Sequence, residues 1–371
     1  MTPRVLIIAG SDSGGGAGVQ ADIKTVTMLG GHAMTAVTTL TAQNTLGVQG
    51  VLPVPPEFVV AQIDACLADL GADAIKIGMI GSPATVRAVA DRLRELAVPI
   101  VVDPVMVATS GSVLADANTI AALGDLLELA TVATPNLPEL AALGGEARLL
   151  EQARAVLVKG GHAEGDVLTD RLLDQTGEVA RWSGVRIATT STHGTGCTLA
   201  AALALGLAEG RSLVDAIARA RRFVRLALLA APGLGHGHGP LGQQAVRLDL
   251  PAGATLNQFA VPLARERSAQ IAFYRALGLR LIVDSAENGY ARFEAAGGAT
   301  LSLHGDSAAI YFECHDLTGA VAMLREGGYD IEEPGDQSWL WREAWTRDPG
   351  GQRVCLYQAG EARRYPPWRL P

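Results

Sequence analysis

Short apolar runs that stop at a turn or a charged residue alternate with amphipathic helical patterns from the start of the chain to about Gly242. Val5–Ala9, Ala74–Gly78, Ile100–Asp103, Thr131–Thr134 and Val156–Lys159 are rich in β-branched residues, and each adjoins an Ala/Leu-rich amphipathic segment. That is the punctuation of βαβ units. Strands so uniformly apolar have no face to give to water, so they imply a mostly parallel sheet covered by helices on both sides, an α/β three-layer sandwich. Helix boundaries agree: Ser82 and Pro83 open TVRAVADRLREL, and Gly71 closes PEFVVAQIDACLADL.

The alternation breaks at QQAVRLDLPAGAT, which places a linker at 243–254 between a first domain, 1–242, and a second, 255–371. Two domains suit a chain of 371 residues, since single cores usually hold roughly 100–200. The second domain repeats itself. A strand at 256–263, a helix at 265–277 and strands to about 305 are followed by a strand at 308–314, a helix at 317–326 and strands to about 358. The expectation is a small α+β domain of two βαβββ units, with Asp316 as N-cap and Gly327-Gly328 as the stop of its second helix.

Composition excludes several classes of function. Hydrophobic residues make up 49% and charged residues 18%, values of a well-buried globular protein. A net charge of −8 with scattered basic residues argues against nucleic acid and for a small-molecule substrate. The four cysteines form no CxxC pair, so neither a disulfide framework nor a zinc ribbon is indicated. The opening apolar run is too short for a signal peptide, and there is no uncharged apolar stretch of about 20 residues. A cytoplasmic protein without a membrane partner is expected.

Four places in the first domain carry chemistry. Ser11–Gly18, after the first strand, is glycine-rich and opens a helix, so its amides could receive an anionic or polar ligand or form a plain turn. It fits neither the Walker nor the Rossmann fingerprint. Asp22, beside the apolar face of that helix, must be partnered or bind a ligand. Asp103 ends a strand, where an acid can act on a phosphate–metal complex. Asn136-Leu137-Pro138-Glu139 begins a helix, so Glu139 is either a second such acid or a capping residue. Lys159 ends another strand beside Gly160-Gly161, placed for a phosphate or for solvent. Thr192-His193-Gly194-Thr195-Gly196-Cys197 precedes a small-residue helix, TLAAALALGLAEG. Glycines there let amides converge on an anion, and a thiol in a first helical turn is expected to have a lowered pKa, which would suit Cys197 as a base. Packing of a small cysteine is the plain alternative.

The runs AGSDSGGGAGVQADIKT, LTAQNTLGVQGV, IKIGMIGS, DPVMVATSG, TPNLPEL, VLVKGGH and STHGTGCTLAAA occur in the order and approximate spacing seen in hydroxymethylpyrimidine and phosphomethylpyrimidine kinases. Nearly all of 1–242 resembles that ribokinase-like family. The resemblance implies ATP- and Mg²⁺-dependent phosphorylation of 4-amino-5-hydroxymethyl-2-methylpyrimidine and then of its monophosphate, in thiamine biosynthesis. It implies that Gly10, Asp22, Gln43 and Met79 line the pyrimidine pocket, that Asp103 and Glu139 serve the magnesium–phosphate region, and that Asn136 and Lys159 belong to the ATP phosphate site. Gly194, Thr195 and Gly196 would form the anion hole, with Cys197 standing where sugar kinases of the fold carry an aspartate base. One departure is a segment between Glu139 and Val158 shorter than in the family, which bears on the nucleotide edge. Gly235–Pro240 resembles the family's domain-ending motif, which displaces a metal reading of His236 and His238. A pyridoxal/pyridoxine kinase is the rival enzyme, and a non-catalytic pyrimidine sensor the rival from another class. A homodimer is the expected assembly.

In the second domain LNQF (256–259), AFYRALGL (272–279), FECHDL (312–317) and RDPGGQ (347–352) resemble the glyoxalase/bleomycin-resistance/dioxygenase, or vicinal oxygen chelate, proteins over about 255–360. Positions matching the metal ligands of that group are Gln258, Ser302, Ala309 and Cys355, a set that does not make a divalent site. No metal is therefore expected there, only small-molecule binding or a dimer contact. Trp339 and Trp341, two apart on an expected strand, would face one way as a stacking wall or as core. His304 and His315 read as surface residues near strand ends.

Overall fold

The computed structural model describes residues 2–106, 116–162, 165–246, 254–295, 299–305, 307–314, 316–349, 351–363 and 366–370. Part of DPVMVATSG, most of the linker, and His315 lie outside them. The chain divides into two compact units, Met1–Val246 and Arg247–Pro371. Gln243, expected to begin the linker, is instead fully buried in the first unit and donates from Nε2 to Thr198 Oγ1 at 3.1 Å.

The first unit runs β1 (Arg4–Asp12), α1 (Gly18–Met28), β2 (His32–Asn44), β3 (Gly47–Pro53), α2 (Pro56–Asp69), β4 (Ala74–Ile77), α3 (Pro83–Leu93), β5 (Ile100–Val102), α4 (Ala117–Ala122), α5 (Gly124–Leu127), β6 (Val132–Ala133), α6 (Leu137–Ala142), α7 (Gly145–Leu150), β7 (Ala155–Val158), β8 (Val167–Asp174), β9 (Gly177–Val185), α8 (Thr195–Ala208) and α9 (Leu213–Leu229). Its sheet has the order β3-β2-β1-β4-β5-β6-β7-β8-β9. The pairings from β2 through β1 to β7 are parallel, and the flanking β3, β8 and β9 are antiparallel. Strand alternation divides the core in two. Leu6 and Ile8 pack with Val59 and Ile63 of α2 and Val86 and Val89 of α3, whereas Val5, Ile7 and Ala9 pack with Val19 of α1, Leu203 of α8 and Ile217 of α9. The expected three-layer α/β sandwich is what forms.

Ser82 caps α3 by accepting from the Thr85 amide, with Pro83 in the first turn. Between Glu139 and Val158, the segment read as shortened, the chain makes only the six-residue helices α6 and α7. No helix of the described residues is long and apolar enough to cross a membrane.

The second unit runs β10 (Ala254–Val261), α10 (Arg267–Ala276), β11 (Arg280–Ser285), β12 (Tyr290–Glu294), β13 (Thr300–Leu303), β14 (Ala309–Cys314), α11 (Leu317–Glu326), β15 (Gly335–Asp336), β16 (Arg342–Arg347) and β17 (Arg353–Gln358). Both repeats have one strand, one helix and three strands. They share a sheet of order β11-β12-β13-β10-β14-β17-β16-β15, with the first and last strands of each repeat parallel. Asp316 caps α11 by accepting from the Gly319 amide. Trp339 and Trp341 are not strand residues. They lie between β15 and β16, where Leu340 takes φ +69°, so Trp341 is buried on Tyr357 while Trp339 is exposed.

Candidate active site

A cavity of about 960 Å³ lies at the carboxyl ends of β1, β4, β5 and β7, the edge where open α/β sheets bind ligands. Its walls are built by the loops that leave those strands and by the start of α8.

The glycine loop after β1 is not the open anion cradle its composition suggested. Asp12 closes it from within: Oδ1 accepts from the Gly14 amide at 2.8 Å, and Oδ2 accepts from Gly16 at 3.0 Å and Ala17 at 2.8 Å. The same Oδ2 lies 2.9 Å from Nε2 of His193, tying this loop to the one before α8. Burial alone would push the Asp12 carboxyl up. The hydrogen bonds from His193 and Ala17 more than offset it and hold the group below its usual range.

In the loop 192–197 the Thr192 and His193 amides donate to the Thr190 and Gly239 carbonyls at 3.0 and 3.1 Å and the Thr195 amide reaches the Thr192 carbonyl at 3.4 Å, while Gly194, Thr195 and Gly196 line the cavity. Gly194 has φ +88° and caps α8, and a Cβ built on it would fall 1.9 Å from the Gly16 carbonyl oxygen. Only glycine tolerates both that conformation and that approach. A Cβ on Gly196 would stand 3.4 Å from both Asp103 Oδ2 and Lys159 Nζ, so the α8 N-terminus looks directly onto that pair. Thr195, Gly196 and Cys197 all line the cavity.

On the far side of that N-terminus the charges are linked. Lys159 Nζ donates to Asp103 Oδ1 at 2.7 Å and stands 3.8 Å from Glu139 Oε2, while Thr134 Oγ1 donates to the same Asp103 oxygen at 3.0 Å. Burial raises the Asp103 pKa, but Lys159, Lys76 and Thr134 lower it further, leaving the carboxylate well ionised. Glu139 moves the opposite way, because burial and the Asp103 charge outweigh Lys159. Glu139 is also half of a capping box: its Oε2 accepts from the Asn136 amide at 2.8 Å, and Asn136 Oδ1 accepts from the Glu139 amide at 2.9 Å. The capping reading is what the structure shows, and the cap also leaves Glu139 Oε2 facing Lys159 at the cavity wall.

The remaining expected residues fall out unequally. Gly10, Gln43 and Met79 line the cavity, and a Cβ on Gly10 would run into Met79 Cε at 2.3 Å, so the bare backbone leaves that methyl its place. Gln43 Oε1 accepts from Thr41, and its Nε2 is 3.2 Å from His193. Asp22 departs from expectation. It lies behind the wall, fully buried, bonded through Oδ2 to Lys76 Nζ at 2.7 Å, and Lys76 is the member of the pair that lines the cavity. Cys197 departs as well. It keeps surface open to the cavity, yet burial pushes its thiol up to about 11. The Lys76 ammonium pulls it down, and Asp22 and Asp103 add to the rise. Desolvation beside two carboxyl groups outweighs the helix N-terminus.

Reading the sequence missed Asp12, His193 as its partner, and Lys76. Lys76 did leave a signal: a lysine inside the apolar run AIKIG is a charge in a strand buried on both faces, and such a charge requires a partner.

Residues 12–242 match the family model described as phosphomethylpyrimidine kinase. The chain belongs to that family. The hydroxymethylpyrimidine/phosphomethylpyrimidine kinase of Rhizobium meliloti is 48% identical over 258 residues, 65% of this chain and 97% of that protein. A thiamine biosynthesis bifunctional protein of Geobacter sulfurreducens is 46% identical over 252 residues, 64% of this chain but only 51% of that protein, so the chain matches about half of its length. Among solved structures, an ADP complex of Bacillus subtilis pyridoxal kinase aligns with a TM-score of 0.61 at 31% identity, covering 67% of this chain and 100% of that one. The first unit therefore has a ribokinase-like fold and the protein is a phosphotransferase, which decides against the non-catalytic sensor.

Proposed function

We propose that the first unit transfers the γ-phosphoryl group of ATP to the hydroxymethyl group of 4-amino-5-hydroxymethyl-2-methylpyrimidine and then to the resulting monophosphate, with Mg²⁺, in the cytoplasm. The observation that carries this reading is the α8 N-terminus set against Asp103 and Lys159, across one cavity from Gly10, Gln43 and Met79. Phosphoryl transfer asks for that combination of amides, cation and carboxylate around a positioned acceptor. Gln43 and the Met79 wall hold the ring, the Gly194–Gly196 amides and Lys159 receive the transferring group, and Cys197, once it has released its own proton, takes the proton from the attacking hydroxyl. Lys76 is the neighbouring charge that favours the thiolate. Asp103 and Glu139 fit a magnesium ion: they supply hard oxygens, Asp103 Oδ2 is turned toward Gly196, and Mg²⁺ in phosphate sites uses only one or two carboxylates besides phosphate and water. Bound there, the ion would neutralise phosphate charge.

An ADP-release assay with the pyrimidine alcohol, its monophosphate and pyridoxal side by side tests the substrate. Turnover of both pyrimidines above pyridoxal is expected, and preference for pyridoxal would overturn the reading.

For the second unit we propose a vicinal oxygen chelate-like, metal-free domain that binds a small molecule. Its support is the pair of βαβββ repeats joined in one sheet. Gln258, the one hard ligand among the matching positions, already accepts from Thr300 Oγ1 at 2.7 Å, and Ser302, Ala309 and Cys355 share its sheet face. Among the described residues no group of three His, Cys, Asp or Glu gathers to hold a metal. Elemental analysis of the full chain after incubation with Zn²⁺, Ni²⁺, Mn²⁺ and Fe²⁺ tests this, and stoichiometric metal surviving gel filtration would overturn it. If the domain is instead a dimer contact, a concentration-dependent homodimer will appear in analytical ultracentrifugation.

A further inference from the structure

The two faces of the second sheet are unlike. One is dry and packed by helices: Ala291, Phe293 and Leu303 against Ile271 and Tyr274 of α10, and Ala344 and Leu356 against Leu317 and Val321 of α11. Strand alternation turns Tyr290, Arg292, Ser302, Tyr311, Glu343 and Trp345 to the other face, where aromatic rings and charges mix.

Arg292 is the anomaly on that face. It is only 7% exposed, with its guanidinium 4.4 Å from the centre of the Trp341 ring and 5.5 Å from that of Tyr290. Nη1 donates to the Arg363 backbone carbonyl at 3.1 Å, while Nε has no acceptor. The carboxylates that could neutralise it are committed elsewhere. Glu343 accepts from the Trp339 and Trp345 indoles at 2.8 and 3.0 Å, Glu294 pairs with Arg369 at 3.1 Å, and Glu313 pairs with Arg363 at 2.9 Å. Two more polar groups stand beside Arg292 with no acceptor or donor outside this trio. Ser302, its direct cross-strand partner, is fully buried without a well-formed bond at Oγ, and the buried Tyr290 hydroxyl, two residues along the same strand, faces only Arg292 and Ser302 and makes no well-formed bond to either. Buried polar groups are almost always satisfied, and a buried guanidinium usually has a counter-charge. Aromatic faces offset its desolvation only in part.

We propose that Arg292, Ser302 and Tyr290 form the anion-recognising end of a site for a small aromatic carboxylate. A guanidinium edge matches a carboxylate in plane, two hydroxyls can donate to its remaining lone pairs, one unpaired cation suits a single negative charge, and the surrounding rings suit a flat body. The inference rests on the second unit being a ligand-binding domain and names the chemistry of what it binds.

Calorimetric titration of the full chain with benzoate and with its neutral isostere benzamide tests it. Benzoate should bind at least ~10-fold more tightly than benzamide, and R292M should erase that preference. Unliganded R292M should unfold at or above the wild-type temperature, since an uncompensated buried charge is gone, whereas a structural arginine would leave the variant less stable. Equal binding of both probes, unchanged in R292M, would overturn the anion assignment and leave the ligand-binding domain standing. Inorganic phosphate displacing benzoate at comparable concentration would overturn the carboxylate class. No binding of either probe would overturn the ligand-binding reading as well.

Discussion

Replacing Lys76 by methionine removes one partner of a pair that has no access to water. The ammonium and the Asp22 carboxylate are 2.7 Å apart, both side chains are 0% exposed, and Asp22 Oδ1 has no partner of its own. Breaking such a pair by deleting one member costs about 3–5 kcal/mol, and at ~2–4 °C per kcal/mol for a unit of this size the melting temperature should fall by roughly 6–20 °C. The loss should depend on pH. Burial pushes the Asp22 carboxyl up to about 6 from 3.8, against the pull of Lys76, and without Lys76 it rises further. A carboxyl raised in the folded state contributes stability below its unfolded pKa and loses it as pH rises through the folded value, so the deficit of K76M should be small near about pH 5 and full near about pH 8. The double variant D22L/K76M, with the charges replaced by apolar groups, should regain most of the stability. It should not regain activity, because the cation that favours the Cys197 thiolate is gone. Thermal melts across pH together with ADP release are the assays. A K76M melt within about 1 kcal/mol of wild type, or a double variant no more stable than K76M, would refute the reasoning.

Cys197→Ala should lower turnover by about 10²-fold or more while pyrimidine affinity stays within a few-fold, as read by steady-state kinetics and calorimetry. Gln43→Ala should chiefly weaken pyrimidine binding, because a polar ring loses an amide partner at the cavity wall, and titration with the pyrimidine would show it. Gly194→Ala should cost about 1–2 kcal/mol for the left-handed conformation alone, and the forced shift against Gly16 should abolish phosphoryl transfer while circular dichroism still reports a folded chain.

The central strands were legible because burial on both faces leaves an unbroken apolar run, as in β1 and β7. The strands β2 and β3 left no such trace. HAMTAVTTLTAQN alternates buried with half-open positions and is rich in threonine, and β3 is mostly exposed, so neither shows a core run. The same holds for the antiparallel hairpin β8–β9, whose charged residues pair across and along the strands. In the site, residues placed by a strand end or a helix start, such as Asp103, Glu139, Lys159 and Cys197, could be found from local pattern. Asp22 was found but misplaced, because its partner Lys76 lies 54 positions away and a sequence does not show that distance closing. Arg292 and Ser302 meet only through strand pairing, so nothing local announced them.

The contact between Gly194 and Gly16 carries a consequence for the order in which the molecule comes into being. The loop that holds Gly16 leaves the ribosome among the first residues, and the helix start that presses on it emerges only after β1 through β9. Closing so long a loop adds little to the equilibrium cost but slows the approach to the native state. A chain that ends before α8 therefore leaves one face of its central strands uncovered and consumes no ATP. Catalytic competence in this protein is thus a certificate of complete synthesis of its first unit.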